Sequence, residues 1–224
     1  MVIVLIAVLA SVILAPEPVT RHPGALRSLV PRILIPTGRG RELLAAGATL
    51  VATWSFTGFY QAFSPAVAAD YLGTTNALMV AVVFSSIVIL APLGGTITSG
   101  LRTTTALRTG LAIFVIAITM VVLALYNGAI APFLLASAIA GIAQGAANGA
   151  GMRGVLGGTS PTERAGTLAT LYLISYTGGA LPGLISGRLA NTLPLTTIIT
   201  GYAALSLLAV VVAGLLTFRH RASH

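Results

Sequence analysis

The sequence predicts an all-α integral membrane protein. Of its 224 residues, 56% are hydrophobic and only 7% are charged, whereas soluble domains carry about 25% charged residues. The mean hydropathy is +0.99, and the few charges are separated by long uncharged intervals. These observations exclude a water-soluble globular protein.

Composition also excludes several functions. The formal net charge of +8 comes from few ionised groups, so the chain lacks the clustered basic face that nucleic-acid binding requires. It has no cysteine, and its three histidines lie outside the apolar runs, at His22, His220 and His224. No span carries the paired His, Asp or Ser and His groups of an intramembrane protease. We therefore expect no enzyme, no metal, no cofactor and no nucleic-acid partner.

The first element is an apolar helix within residues 1–15. Val2–Ala15 contains 14 residues, all apolar except Ser11, which cover about 21 Å of helix and are too few to cross about 30 Å of hydrocarbon. A secretory signal peptide is disfavoured, because there is no basic n-region and Pro16 follows the only small-residue cleavage point. We expect residues 1–15 to be the end of a longer transmembrane helix.

The second element is a basic, proline-rich linker at residues 16–42. Its five prolines prevent a continuous helix. Apolar residues alternate there with arginines, which anionic headgroups would attract to the membrane surface. A solvated connector is the alternative interpretation, and both remain open.

Six membrane spans follow between the remaining charges, within residues 43–218. Successive charges enclose 27, 31, 44, 23 and 30 uncharged residues, and a span needs roughly 20. The interval of 44 contains a turn cluster at residues 126–132, so it predicts two spans. The expected spans are 43–63, 74–94, 109–127, 132–154, 166–187 and 195–217.

The arginines predict the orientation. If the loops alternate between sides, eleven arginines lie on one side and Arg188 alone lies on the other. The positive-inside rule then places residues 16–42 and the tail 219–224 in the cytoplasm of a multi-pass cell-membrane protein. We expect four arginines of the short loops to anchor helix ends there: Arg102, Arg108, Arg153 and Arg164. Arginine without lysine, with abundant Ala and Gly, indicates a GC-rich bacterial genome.

Glycine recurs every four residues in two of the spans. The residues are Gly141, Gly145 and Gly149 in one span and Gly179, Gly183 and Gly187 in the next. Such stripes let membrane helices pack closely, which is the interpretation we favour. The alternative is sliding or bending during transport, since Pro182 removes one backbone hydrogen bond and permits a kink.

Six polar or aromatic residues within the spans are candidate site residues. They are Tyr60, Gln61, Gln144, Asn148, Tyr172 and Tyr176. Polar groups at membrane depth face protein or a water-filled path, so these residues either line a cavity or form interhelical hydrogen bonds worth about 0.6–2 kcal/mol each. No Asp, Glu, Lys or His lies in the middle of a span, so this sequence carries no evident proton relay.

Two stretches of sequence add a family resemblance. Trp54-Ser-Phe-Thr-Gly-Phe-Tyr-Gln-Ala-Phe-Ser-Pro65 is similar to the seventh helix of major facilitator superfamily transporters. Ser160–Gly166 with Leu171–Gly183 is similar to that family's loop from helix ten into helix eleven, and the order of elements resembles its centre and C-terminal half. The loop Gly95–Arg102 departs from the family's acidic and basic repeat, so we expect no gating salt bridge there.

The resemblance implies an MFS-type C-terminal six-helix bundle, preceded by the end of family helix six and the central loop, with helices one to five missing. Such transporters bind substrate between two halves and alternate access, and the six polar or aromatic residues named above would contact it. The expected function is secondary active transport of small organic solutes, of the efflux type. The implied partners are the bilayer, the substrate, and the missing half or a second copy. A non-transporting subunit, an inactive remnant and an uptake symporter are the alternatives.

Overall fold

The structure, a computed structural model, describes residues 2–14 and 33–218. Residues 16–32 of the predicted linker at 16–42, and the tail at 219–224, lie outside the described residues. The chain divides into two compact units, Met1–Pro31 and Arg32–His224. The first unit contains helix α1, Val2–Leu14. All regular secondary structure in the described ranges is helical, which confirms the predicted all-α class.

The second unit contains seven further helices within residues 33–218. They are α2 (Gly40–Leu72), α3 (Ala77–Val88), α4 (Ala91–Ile97), α5 (Thr103–Tyr126), α6 (Ile130–Leu156), α7 (Pro161–Leu189) and α8 (Leu195–Phe218). Six segments of the described chain are long and apolar enough to cross a membrane, with α3 and α4 together forming one of them. These six segments support the predicted multi-pass membrane protein.

Helix α2 is longer than the predicted span 43–63. It begins at Gly40 and continues through Pro65 to Leu72. A transmembrane helix tolerates the loss of the backbone hydrogen bond that proline removes. It ends at Gly73, whose φ of +61° places it in the left-handed region and whose N–H donates to the Ala68 carbonyl oxygen. The predicted bounds came from charges, which indicate where a span leaves the hydrocarbon. The helix itself ends where its capping residue lies.

The second span is broken rather than continuous over 74–94. Helix α3 ends at Val88, and α4 begins at Ala91 after a two-residue turn. Pro92 has no N–H, so it cannot donate to the Val88 carbonyl oxygen as a continuous helix would require. The break leaves two short helices that both pack against α6.

Helices α2 and α6 form the centre of the bundle. Helix α2 packs against α3, α6, α7 and α8, and α6 packs against α2, α3, α4 and α5. Helix α7 packs mainly against α2 and makes few contacts with α8. An aromatic cluster fills the core, mostly with edge-to-face contacts, and its members are Phe56, Phe59, Tyr60, Phe63, Phe114, Phe133 and Tyr202.

The broken span crosses α6 with its backbone in direct contact. A Cβ on Gly145 would collide with the Ala91 carbonyl oxygen, and a Cβ on Gly141 would collide with that of Ile87. In the other direction, a Cβ on Gly94 would collide with the Ile142 carbonyl oxygen. Glycine is therefore required at this crossing. A Cβ on Gly149 would lie 3.6 Å from the Gly95 Cα of α4, which is an ordinary contact distance.

The glycines of α7 have different surroundings despite the same spacing. A Cβ on Gly179 would lie 3.4 Å from the Trp54 carbonyl oxygen, so this glycine faces α2. A Cβ on Gly183 would approach only the Tyr202 hydroxyl, at 3.9 Å, and a Cβ on Gly187 has no neighbour within 4 Å in the described part of the chain. Close packing along α7 is thus restricted to the part around Gly179. Pro182 lies within α7 without ending it.

Arginines at one end of the bundle bind the C-terminal carbonyl groups of other helices. The hydrogen bonds are Arg39 Nη1 to Gly154 O (2.9 Å), Arg41 Nε to Leu216 O (3.0 Å), Arg108 Nη2 to Thr217 O (3.1 Å) and Arg153 Nη2 to Thr98 O (3.3 Å). Cations at these positions satisfy carbonyl groups that have no helical donor and oppose the helix dipole. The other two predicted anchors, Arg102 and Arg164, are exposed.

The segment 33–39, before α2, is held against the N-terminal part of α7. The Leu34 N–H donates to Thr170 Oγ1 at 2.9 Å, and the Thr170 hydroxyl lies 3.1 Å from the Leu34 carbonyl oxygen. Thr37 Oγ1 donates to Glu163 Oε1 at 3.2 Å. These contacts fix the end of the predicted linker to the bundle.

Replacing Thr170 with valine is expected to loosen the segment 33–39. The substitution removes both hydrogen bonds to Leu34, and one net hydrogen bond contributes about 1 kcal/mol. Trypsin cleavage after Arg39, followed by mass spectrometry, should therefore accelerate about two- to fivefold. Thr109→Val is the control, because that hydroxyl is exposed and bonds its own helix. Equal cleavage rates in the two variants would contradict this role for Thr170.

Candidate functional site

Two hydrogen bonds connect α2 and α6 near the middle of these spans. The Thr53 hydroxyl donates to Asn148 Oδ1 at 3.0 Å, and the Thr57 hydroxyl donates to Gln144 Oε1 at 3.0 Å. Both pairs are spaced by four residues, so one turn of α2 matches one turn of α6. The fold thus places both predicted amides of α6 against threonines of α2.

The two amides differ in what remains available to a ligand. Gln144 is only 6% exposed, and its Nε2 donates to the Ile87 carbonyl oxygen at 3.2 Å, beside the break between α3 and α4. Asn148 is half-buried, and Thr53 is its only side-chain partner among the described residues. The Asn148 NH2 group is therefore a free donor in the described structure, whereas Gln144 is a structural link.

Aromatic side chains of α2 and α7 lie beside the turn of α2 that carries Thr53 and Thr57. Trp54 and Tyr176 meet edge to face with ring centroids 5.2 Å apart, and Tyr176 stacks on Tyr172 at 6.2 Å. Tyr176 is 61% exposed and Tyr172 is 46% exposed. The three rings thus present open edges and faces on one side of the bundle.

Gln61 extends the same surface along α2. It is exposed and lies one turn beyond Thr57, which is half-buried. We call this surface the polar–aromatic face. Its members are Trp54, Thr57, Gln61, Asn148, Tyr172 and Tyr176.

Tyr60 is separated from this face. It is completely buried and packs on Phe133 with ring centroids 5.7 Å apart. Its hydroxyl bonds Ser137 Oγ at 2.5 Å. The structure thus places Tyr60 inside the aromatic core, on the side of α2 that faces α6.

The threonines were missed by the sequence reasoning. Thr53 and Thr57 carry hydroxyls that helices commonly satisfy internally, and both also lie near carbonyl oxygens of their own helix. The available signal was their four-residue spacing, which equals that of Gln144 and Asn148. Matching polar spacings on two spans would have predicted the pairing.

The polar–aromatic face offers amide and hydroxyl groups and aromatic rings, and it contains no ionisable carboxylate, amine or imidazole. It can therefore bind a solute by hydrogen bonds and ring contacts. Within residues 2–14 and 33–218, no group of three or more His, Cys, Asp or Glu residues could hold a metal ion. No family model, curated protein or solved structure matches this chain.

Proposed function

We propose that this chain belongs to a secondary active transporter of small organic solutes, of the major facilitator kind and the efflux type, and that the polar–aromatic face contacts the solute. The observation that carries the proposal is the convergence of polar and aromatic side chains from three spans on one partly open face. Such groups are costly in hydrocarbon unless they face protein, water or a solute.

Each part of the face has a role in this proposal. The NH2 group of Asn148 donates a hydrogen bond to the solute, and the rings of Trp54 and Tyr176 stack on its apolar part. A face open on one side covers only half of a solute, so binding requires a second wall. That wall comes from the other half of the transporter or from a second copy, and rocking of the two walls alternates access.

The proposed orientation follows the arginines. Arg39, Arg41, Arg108 and Arg153 act at one end of the bundle, and Arg188 lies at the other. The positive-inside rule assigns the first end to the cytoplasm, in the inner or plasma membrane of the cell. The C-terminus is then cytoplasmic.

A non-transporting membrane subunit is the second candidate. It is favoured by Gln144, whose amide oxygen and amide nitrogen both form hydrogen bonds to neighbouring helices, at Thr57 and Ile87. A subunit of this kind would use its exposed surfaces for assembly and would bind no solute on the polar–aromatic face.

Solute binding can be measured through Trp54, the only tryptophan in the chain. We expect saturable quenching of its emission by at least one of three probes: tetraphenylphosphonium, chloramphenicol and salicylate. Tyr176→Ala should weaken that binding about three- to tenfold, since a ring contact contributes about 0.5–1.5 kcal/mol.

Tyr126→Ala is the matched control, because Tyr126 is also exposed but lies at the end of α5. Its affinity should equal that of the unsubstituted protein. Absence of saturable quenching by all three probes, or equal weakening by both substitutions, would favour the non-transporting subunit.

A further inference from the structure

A lateral groove separates α7 from α8. It has a volume of about 910 Å³, and Val51 of α2 lies at its base. Leu181 and Ile185 form one wall and Ile198 and Leu205 the other. The groove remains open because α7 packs on α2 and makes few contacts with α8.

The groove contains few polar groups, namely Thr177, Ser186, Thr197 and Tyr202, and two of them are paired. Ser186 Oγ and the Tyr202 hydroxyl form a hydrogen bond of 2.8 Å across it. The remaining lining is almost entirely hydrocarbon. Its occupant must therefore be apolar along most of its length.

Arg188 lies in the last turn of α7, next to the groove residue Leu189. It follows Ile185 by three residues and Leu181 by seven, so all three share one face of α7. Arg188 is exposed, and among the described residues it has no hydrogen bond or ion pair. In the sequence it is also the only arginine expected at this end of the bundle. The groove thus joins an apolar channel to a single cation.

Its dimensions match a lipid. Groove residues extend from Leu173 to Leu189, about 24 Å along the helix axis. A water molecule takes up about 30 Å³ in the liquid and a methylene group is of similar size, so a groove of about 910 Å³ accommodates about 30 such groups, close to the two chains of one phospholipid. A helix about 10 Å wide and 24 Å long would need about twice this volume.

We infer that the α7–α8 groove binds one phospholipid, with its acyl chains between the two helices and its phosphate paired with Arg188. A lipid with a net negative headgroup binds best, because no second charge opposes the ion pair. This site is separate from the polar–aromatic face and does not depend on transport.

Native mass spectrometry tests this inference. The detergent-solubilised protein is incubated with equal amounts of phosphatidylglycerol and phosphatidylcholine. We expect one tightly retained phospholipid per chain, with phosphatidylglycerol favoured. Gly201→Leu fills the groove without a clash, since a Cβ at Gly201 has no neighbour within 4 Å, and it should lower lipid retention at least tenfold.

Ala204→Leu is the control for groove filling. Ala204 is also exposed on α8 but does not line the groove, so lipid retention should not change. Arg188→Gln should lower phosphatidylglycerol retention about three- to tenfold and abolish the preference over phosphatidylcholine. Arg164→Gln, at the opposite end of α7, should do neither.

Three results would overturn the inference. One is equal lipid retention by Gly201→Leu and Ala204→Leu, and another is an unchanged lipid preference in Arg188→Gln. The third is a bound mass of a second 22.7 kDa chain in place of lipid, lost in Gly201→Leu, which would assign the groove to a contact between copies. Melting temperatures measured in parallel exclude misfolding as the cause of lipid loss.

Discussion

Replacing Gly145 with alanine is expected to cause the largest loss of stability of any single-methyl substitution proposed for this bundle. The added Cβ would collide with the Ala91 carbonyl oxygen. Both partners are helix backbone, so no rotamer change can relieve the contact, and α4 must move away from α6. Overpacking of this kind costs about 1–3 kcal/mol and sometimes more. We expect the upper end of that range.

Gly187→Ala is the matched control on another membrane helix. Its Cβ would have no neighbour within 4 Å in the described structure, and alanine favours a helix over glycine by roughly 0.5–1 kcal/mol. The midpoint of thermal unfolding in detergent should therefore fall by more than about 4 °C in Gly145→Ala and should not fall in Gly187→Ala. Equal midpoints in the two variants would contradict the close crossing of α4 and α6.

The number of spans could be predicted because charges are excluded from hydrocarbon. The number of membrane segments could therefore be inferred from the lengths of the uncharged intervals, without any knowledge of packing. Helix ends depend instead on local capping, as at Gly73, and on proline, as at Pro92. This is why α2 extends beyond its expected span and why the second span is broken.

The candidate site was predictable in composition but not in arrangement. Gln144 and Asn148 were evident as polar residues at membrane depth, yet their partners Thr53 and Thr57 depend on how α2 rotates against α6. Adjacent residues of a helix differ by about 100° in direction. Tyr60 therefore enters the core while Gln61 reaches the open surface.

The glycine stripes show the same limit. Gly145 and Gly183 are the middle residues of two runs with four-residue spacing, but only Gly145 meets another backbone. The four-residue spacing of glycine indicates which face of a helix lacks side chains. Whether a neighbouring helix approaches that face depends on the neighbour, here the turn that brings Ala91 against α6.

Asn148→Leu is expected to have the largest effect on transport while leaving the bundle folded. Leucine has nearly the same shape as asparagine but removes the NH2 donor that we assign to the solute. The Thr53 hydroxyl keeps an acceptor, because the Thr49 carbonyl oxygen lies 3.0 Å away. One hydrogen bond contributes about 0.5–1.5 kcal/mol, so transport of the probe that quenches Trp54 should fall up to about tenfold in proteoliposomes.

Gln144→Leu should differ from Asn148→Leu in a way that separates binding from assembly. It removes the donor to the Ile87 carbonyl oxygen beside the helix break, so it should lower the melting temperature as well as transport. Asn127→Leu, an exposed asparagine at the end of α5, should change neither solute affinity nor transport. If Asn148→Leu and Gln144→Leu both transport normally, the polar–aromatic face does not bind the solute. If Asn148→Leu loses stability and transport together, its amide holds α2 and α6 in place rather than contacting a solute.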